Sequence, residues 1–453
     1  MFETIRNAFK IKEVRRKIFL TILFVIIYRL GCMITVPGLS AIEIENEQGI
    51  LGLLDSITGS ALSQGTLFSL GISPYINASI IVQLLTVAIP SWTRMSKEGE
   101  EGREKLNKIT RWVTFGLAIL SAVGIVLTLE NQGGYINYAW LGGDGIVING
   151  VGLATFFETN NWIMYIYITI VLVGGSMLTM WIGERITEYG VSNGISLLIF
   201  VGIVSTAVHQ LRISFTGVFQ GTTENLIVIG LFLVTLILVF AFIVWVDGAE
   251  RKIKVQYAKQ IKGNKMYGGQ TTFIPIRVNA SGVMPIIFAS SFIMFPQMII
   301  SFIPKLAESK FGVWWMRNLT TSGGTWWGSL IYYIFMVVFI IFFAYFYSMI
   351  QFNPEDVSKN IQQYGGFIPG IRPGKPTSDY LKRINNRITL FGAIFLSIIC
   401  VIPTFLFNVI GKDIGLSSAF SATGLLIVVS VALEFNKSLE SQIMMRHYKG
   451  FLK

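Results

Sequence analysis

The chain has 453 residues, 53% of them hydrophobic and only 13% charged, about half the charged share usual in soluble domains, so a water-soluble globule is excluded. Its 36 Lys and Arg against 25 Asp and Glu leave a formal charge of +11, which points to a membrane surface or to nucleic acid, and position decides between them. Two cysteines and two histidines exclude a disulfide scaffold, zinc fingers and most imidazole metal cages. Cys32 and Cys400 both lie in apolar runs and read as inert buried thiols.

Crossing a hydrocarbon core of about 30 Å takes roughly 20 apolar residues. Ten such stretches are legible, centred within 18–36, 73–91, 112–129, 162–182, 195–211, 225–246, 282–303, 327–350, 389–410 and 417–436. Six basic residues, Arg6, Lys10, Lys12, Arg15, Arg16 and Lys17, precede the first, as they would in a signal peptide. No small-residue cleavage site follows, and the run continues through Arg29 and Gly31 to Pro37, so a retained span is expected. Between Pro37 and Ser73, LLDSITGSALSQGTLFSLG is too polar and glycine-rich to span lipid, yet too apolar for a free loop. Only a tight GERITEYGVSNG loop divides the fourth stretch from the fifth.

Lys and Arg gather in alternate connections: the amino end, 94–111, Arg185, 251–277, 359–387 and the tail. The other connections hold only Arg212, Lys305, Lys310, Arg317 and Lys412, which places both termini in the cytoplasm. Arg29 and Glu434 fall near span ends, where snorkelling to the interface is expected. Two long cytoplasmic loops, about 247–280 and 351–387, carry much of the basic excess. The topology signal alone accounts for such charge, but the length of these loops exceeds what a helix connection needs, and a large anionic partner such as RNA or an acidic protein surface suits them. Ten spans split into two sets of five, 1–211 and 212–453, and an odd number per set makes the second half run opposite to the first. The expected fold is therefore all-α: a polytopic membrane protein of ten helices in two inverted halves.

Catalytic signals are sparse. GVSNG at Gly190 to Gly194 fits a nucleophile elbow around Ser192, but that elbow needs a strand-to-helix turn in an α/β sheet, and here the pattern opens a membrane helix. His209 lies about five helical turns further on, too far to act as its base. No phosphate-binding G-x-x-x-x-G-K-[ST] loop occurs, since Gly374-Lys375 precedes Pro376 and Gly411-Lys412 precedes Asp413. Energy from ATP or GTP must then come from a partner.

Five long segments, in order, resemble the SecY family, the channel subunits of the bacterial Sec protein translocon. They are LFSLGISPYINASIIVQLLT (67–86), MWIGERITEYGVSNGISLLIF (180–200), RVNASGVMPIIFASSFIMFP (277–296), FNPEDVSKNIQQYGGFIPGIRPGKPT (352–377) and ATGLLIVVSVALEF (422–435). The R-x-G-x-x-x-x-V-P-G end of the first span, Arg29 to Gly38, belongs with them. The resemblance implies an hourglass pore that passes unfolded, signal-sequence-bearing polypeptides across the bacterial plasma membrane and releases apolar segments sideways into lipid. It implies no cofactor and no metal.

Carried over residue by residue, the family's pore ring falls on Ile76, Ile80, Ile199, Ile203, Ile287 and Ile427. Each i, i+4 pair among them shares one helix face. The family's plug falls on about 52–70, where Gly59, Ser60, Ala61 and Gly65 suit close packing in a short half-helix. Its lateral gate, between the second and seventh spans, carries Gln83 and Thr86 on one side and Asn279, Ser290 and Ser291 on the other, an arrangement expected to hold the seam by weak polar pairs. Contacts with the SecA motor ATPase and the ribosome fall on Lys262, Lys265 and Arg372, with Pro369 and Pro373 stiffening the second tip. Asn264 stands beside Lys265 where the family often has a second basic residue. SecE and SecG are the expected small membrane subunits. Two other readings stay open on residues alone: a secondary transporter of a small solute, which should carry acids or histidines at the midplane, and a membrane enzyme using Ser192.

Overall fold

The structure is a computed structural model that describes residues 2–39, 55, 58–131, 147–148, 151–152, 161–219, 223–257, 260–262, 265–267, 271–279, 282–302, 304–319, 326–410 and 422–450. It is mostly helical, because in lipid a backbone polar group has no water to bond and an apolar segment satisfies its own N–H and C=O groups only as a helix.

The amino-terminal α1 (Phe2–Lys10) is short and leads into α2 (Lys12–Gly31), α3 (Ser73–Ala88), α4 (Pro90–Lys97) and α5 (Glu100–Asn131). A two-residue hairpin, β1 (Val147–Ile148) and β2 (Val151–Gly152), precedes α6 (Asn161–Tyr189), α7 (Gly194–Phe219) and α8 (Thr223–Asp247). Four strands follow, β3 (Glu250–Tyr257), β4 (Gln260–Lys262), β5 (Lys265–Tyr267) and β6 (Thr271–Arg277). Then come α9 (Met284–Phe302), α10 (Pro304–Ala307), α11 (Lys310–Asn318), α12 (Trp326–Gln351), α13 (Pro354–Gln363), β7 (Gly366–Phe367), α14 (Lys375–Ile410) and α15 (Ala422–Gly450). Every apolar stretch expected to span falls largely within a helix. Among the described residues, α5, α6, α12 and α14 are each long and apolar enough to cross a membrane; α3 and α4 qualify as a pair bent by 102°. The chain is thus a multi-pass membrane protein.

Three expectations change. The fourth and fifth stretches are divided by a four-residue turn, 190–193, because GERITEY continues α6 to Tyr189. The fifth helix does not stop at 211 but carries Arg212 on to Phe219. The fold is not purely helical either. β6 pairs antiparallel with β3 along its whole length, and β7, from the second long loop, adds to the other edge of β3 through Gln256↔Phe367 and Tyr257↔Gly366. One three-stranded sheet therefore joins both basic loops at the same end of the molecule. Its inward face, Ile253, Val255 and Ile276, packs on Ile361, Ile368, Leu381 and Ile384, and this burial stabilises an otherwise polar loop.

The opposite termini also meet. Ala8, Val14 and Ile18 pack with Leu439 of α15 and with Val191 of the α6–α7 turn, and Gln442 Nε2 donates to the Val191 carbonyl at 3.0 Å. α6 and α7 cross closely there, since a Cβ on Gly194 would lie 2.1 Å from the Gly183 carbonyl oxygen.

Candidate functional site

The six isoleucines expected to form a ring come from α3, α7, α9 and α15, and the structure brings them together. Ile80 is 6% exposed, Ile199 5% and Ile427 7%, so these three face the interior rather than acyl chains. Ile199 and Ile427 share an apolar cluster with Ile72, Leu198 and Val431, against which Ile76, Ile203 and Ile287 pack half-buried. Ile80 sits in an adjoining cluster with Ile286, Ile293, Leu426 and Val429, and Ile76 and Ile287 also pack there, so the two clusters are continuous. Aliphatic walls of this kind exclude hydrated ions by dewetting and make no directional bonds that a passing chain would have to break.

Beside this collar, the chain from 59 to 72 is a succession of turns; of the segment before it, Asp55 and Thr58 are helical, and 51–54 and 56–57 lie outside the described residues. Gly59, Ser60 and Gly65 all have positive φ (74°, 65° and 58°), and Ala61 is fully buried, which is the packing expected of these small residues. The turns are zipped onto the chain just after α2: Val36 N donates to Gly65 O and Leu67 N to Ile34 O, both at 2.8 Å. Phe68 stacks on Tyr28 with centroids 5.7 Å apart, over a notch that exists only because residue 31 is Gly, whose Cβ would lie 2.0 Å from the Phe68 ring. Tyr28, Gly31 and Cys32 share one face of α2 at i, i+3 and i+4, a signal present in the sequence but not read from it. Outside the spanning helices, burial raises the Asp55 carboxyl above its ordinary range, opposed by the bond it accepts from Ser63 N at 2.7 Å.

Arg29 does not snorkel. Its guanidinium donates to Ser205 of α7, and its Nη1 is buried without a hydrogen-bond partner among the described residues. That nitrogen lies over Gly59, where an added Cβ would sit 2.5 Å from it.

Among the described residues, the polar residues expected at the seam between α3 and α9 do not pair across it. Thr86 Oγ1 donates to Val82 O at 2.7 Å and Ser290 Oγ to Ile287 O at 3.0 Å, each within its own helix. Asn279 is buried and donates to Asp247 of α8 at 2.9 Å, while Gln83 and Ser291 are half-buried. Ile76 and Ile80 share an apolar cluster with Ile286, Ile287 and Ile293 of α9.

At the basic loops, Lys262 and Lys265 stand opposite one another at the closed end of the β4–β5 hairpin, and Asn264 lies outside the described residues. Arg372 is exposed and lies between Gly370 and Gly374, both with positive φ, 83° and 95°. Thr377 Oγ1 donates to Arg372 O and Ser358 Oγ to Gly374 O, both at 2.8 Å, and together they fix the loop that presents the guanidinium. Sequence reading had singled out neither hydroxyl.

The GVSNG turn is a helix corner. Asn193 Oδ1 caps α7 by accepting from Ile195 N at 3.1 Å, and Gly194 N donates to Thr187 Oγ1 at 2.9 Å, so the strand that a nucleophile elbow requires is replaced by α6.

A bent helix pair, a glycine-built seat of turns and interior aliphatic clusters define a multi-pass helical membrane protein. The fold matches a solved protein-conducting channel with a TM-score of 0.66 at 21% identity, covering 94% of this chain and 92% of that one. It matches Sec61 of the canine ribosome–channel complex at 0.63 and 19%, over 94% and 92%. A family model described as SecY matches residues 66–436. The chain is 38% identical over 460 residues to the protein translocase subunit SecY of Bacillus subtilis, covering 100% of each. Its identity to that of Corynebacterium glutamicum is 37% over 457 residues, covering 99% of each. The chain belongs to the SecY family: it is the channel subunit of a protein translocase, not an enzyme, and nothing in these matches supports a small-solute transporter.

Proposed function

We propose that the ten long helices act as two inverted halves around an hourglass conduit in the bacterial plasma membrane, with both termini cytoplasmic and the isoleucine collar as its waist. The halves are 1–211 and 212–453, and the helix at their junction, α7, runs on to Phe219. The turns at 59–72 close the outer funnel, and the α3–α9 seam is the lateral exit. SecA or the ribosome drives transport through the basic tips at Lys262, Lys265 and Arg372, SecE and SecG are the accompanying small membrane subunits, and ribosome-bound Sec61 among the structural relatives favours the ribosomal mode.

The convergence of six isoleucines from four helices into continuous interior clusters carries this reading. Ile80→Asn or Ile287→Asn would bury an unsatisfied amide, costing the closed state about 1–3 kcal/mol. At about 1.4 kcal/mol per decade, the open fraction should rise roughly tenfold. Vesicles reconstituted with either variant should leak ions and export substrates whose signal sequence is defective. Leak and stringency at the wild-type level would overturn the assigned waist.

A further inference from the structure

A charge inside a channel wall is costly unless it is held, and among the described residues one hydrogen bond holds Arg29. Its guanidinium donates to Ser205 on α7, two residues beyond Ile203 of the proposed waist, and presses Nη1 over Gly59 at the head of the plug turns. An added Cβ on Gly59 would also meet the Gly202 carbonyl at 3.2 Å, so α2, the plug turns and α7 meet at this one spot. Asp55, half-buried, spends an oxygen on Ser63 N, and no ion pair with Arg29 occurs among the described residues.

From this geometry we infer that Arg29 is a positioning residue for gating: a latch that ties α2 to α7 across Gly59 and holds the plug turns seated while the waist is empty. The inference rests on the reading of 59–72 as a plug and of α7 as a waist helix. Unseating the plug turns draws Gly59 out from between α2 and α7, and the guanidinium that closes over it must release Ser205 to let it pass. A single charge-assisted bond suits this task, being strong enough to bias the closed state and weak enough for substrate to break. The planar fork lets one nitrogen hold Ser205 while another stays over Gly59, which an ammonium could not do at once.

The test measures ion leak and export of a signal-defective substrate for Arg29→Met, Arg29→Lys, Ser205→Ala and Ser205→Asp, each scored per channel assembled in the membrane. Arg29→Met and Ser205→Ala should each raise leak and relax stringency several-fold, and the double variant should do no more than either alone, because both remove one bond. Arg29→Lys should fall between them and wild type. Ser205→Asp should act in the opposite direction, tightening the latch and slowing export of normal substrates, an effect that a merely structural role for Arg29 would not produce. Wild-type leak and stringency in Arg29→Met and Ser205→Ala, or additive effects in the double variant, would overturn the latch. If Arg29→Met fails to assemble, the two Ser205 variants decide, and equal behaviour of Ala and Asp overturns it. Ile80→Asn run alongside separates the two claims: leak there but not at Arg29 defeats the latch alone, whereas silence at both defeats the channel reading.

Discussion

At the scale of single residues, adjacent glycines on α6 do opposite work. A Cβ on Gly175 would lie 1.9 Å from the Leu67 carbonyl oxygen, so this glycine is the notch that lets α6 approach the backbone of the plug turns. A Cβ on Gly174 would meet nothing within 4 Å. Gly175→Ala should therefore cost about 1–3 kcal/mol, the usual range for overpacking, because the obstacle is backbone and cannot rotate away. Gly174→Ala should be neutral or stabilising by up to about 1 kcal/mol, the helix preference of Ala over Gly. Thermal unfolding of the detergent-solubilised translocase checks the pair; equal midpoints for the two variants would show that α6 and Leu67 are not in contact.

At the scale of elements, the two basic loops work as one body because β7 adds to β3. The junction is short, two residue pairs, and depends on Gly366, where a Cβ would sit 2.9 Å from the Tyr257 ring and 3.1 Å from Ile361. Arg372→Glu should lower motor-driven export more than tenfold, since reversing one partner of a paired guanidinium costs about 2 kcal/mol or more, while assembly stays intact. Gly366→Val should weaken export in part, although every basic residue remains, by lifting β7 off β3. ATP-dependent uptake of a secretory substrate into membrane vesicles measures both, and full export in Gly366→Val would mean that the loops act separately.

This sheet marks the limit of what the chain discloses before folding. Helices were legible because long apolar runs have only one way to satisfy their backbone in lipid, and the isoleucine positions because i, i+4 spacing fixes a face. β7 was not legible: two residues, Gly366 and Phe367, carry no period, and their partner strand lies far away in the chain. Arg29 was misread for a related reason. Its place near a helix end suggests an escape to water, and only the partner helix, bringing Ser205 within reach, shows that it turns inward. The seam at α3 and α9 was also misread, since Thr86 and Ser290 can bond their own helix and so need no partner across it.

At the scale of the whole molecule, one question separates a conduit from a bundle with a greasy centre: which side chains a polypeptide touches on its way through. Exposure sorts the helices into two surfaces. Phe391 is 75% exposed and Ile26 51%, facing the surroundings of the bundle, whereas Ile80 and Ile427 face inward. The native thiols are both buried, so a background without them is needed. Cys32→Ser keeps a donor for the Thr58 carbonyl, which the thiol reaches at 3.9 Å, and Cys400→Ala trims a side chain within the α9–α12–α14 apolar cluster. In that background, single cysteines replacing Ile80, Ile203 or Ile427 should cross-link to a secretory polypeptide stalled by a folded domain at its end, and should do so only while it is stalled. Cysteines at Phe391 or Ile26 should not. A stalled apolar segment, by contrast, should also reach cysteines at Gln83 and Ser290, because separation of α3 from α9 breaks apolar packing and no hydrogen bond between them among the described residues. Labelling at the outer positions with none at the three isoleucines would place the polypeptide's path outside the bundle and remove the waist from the mechanism.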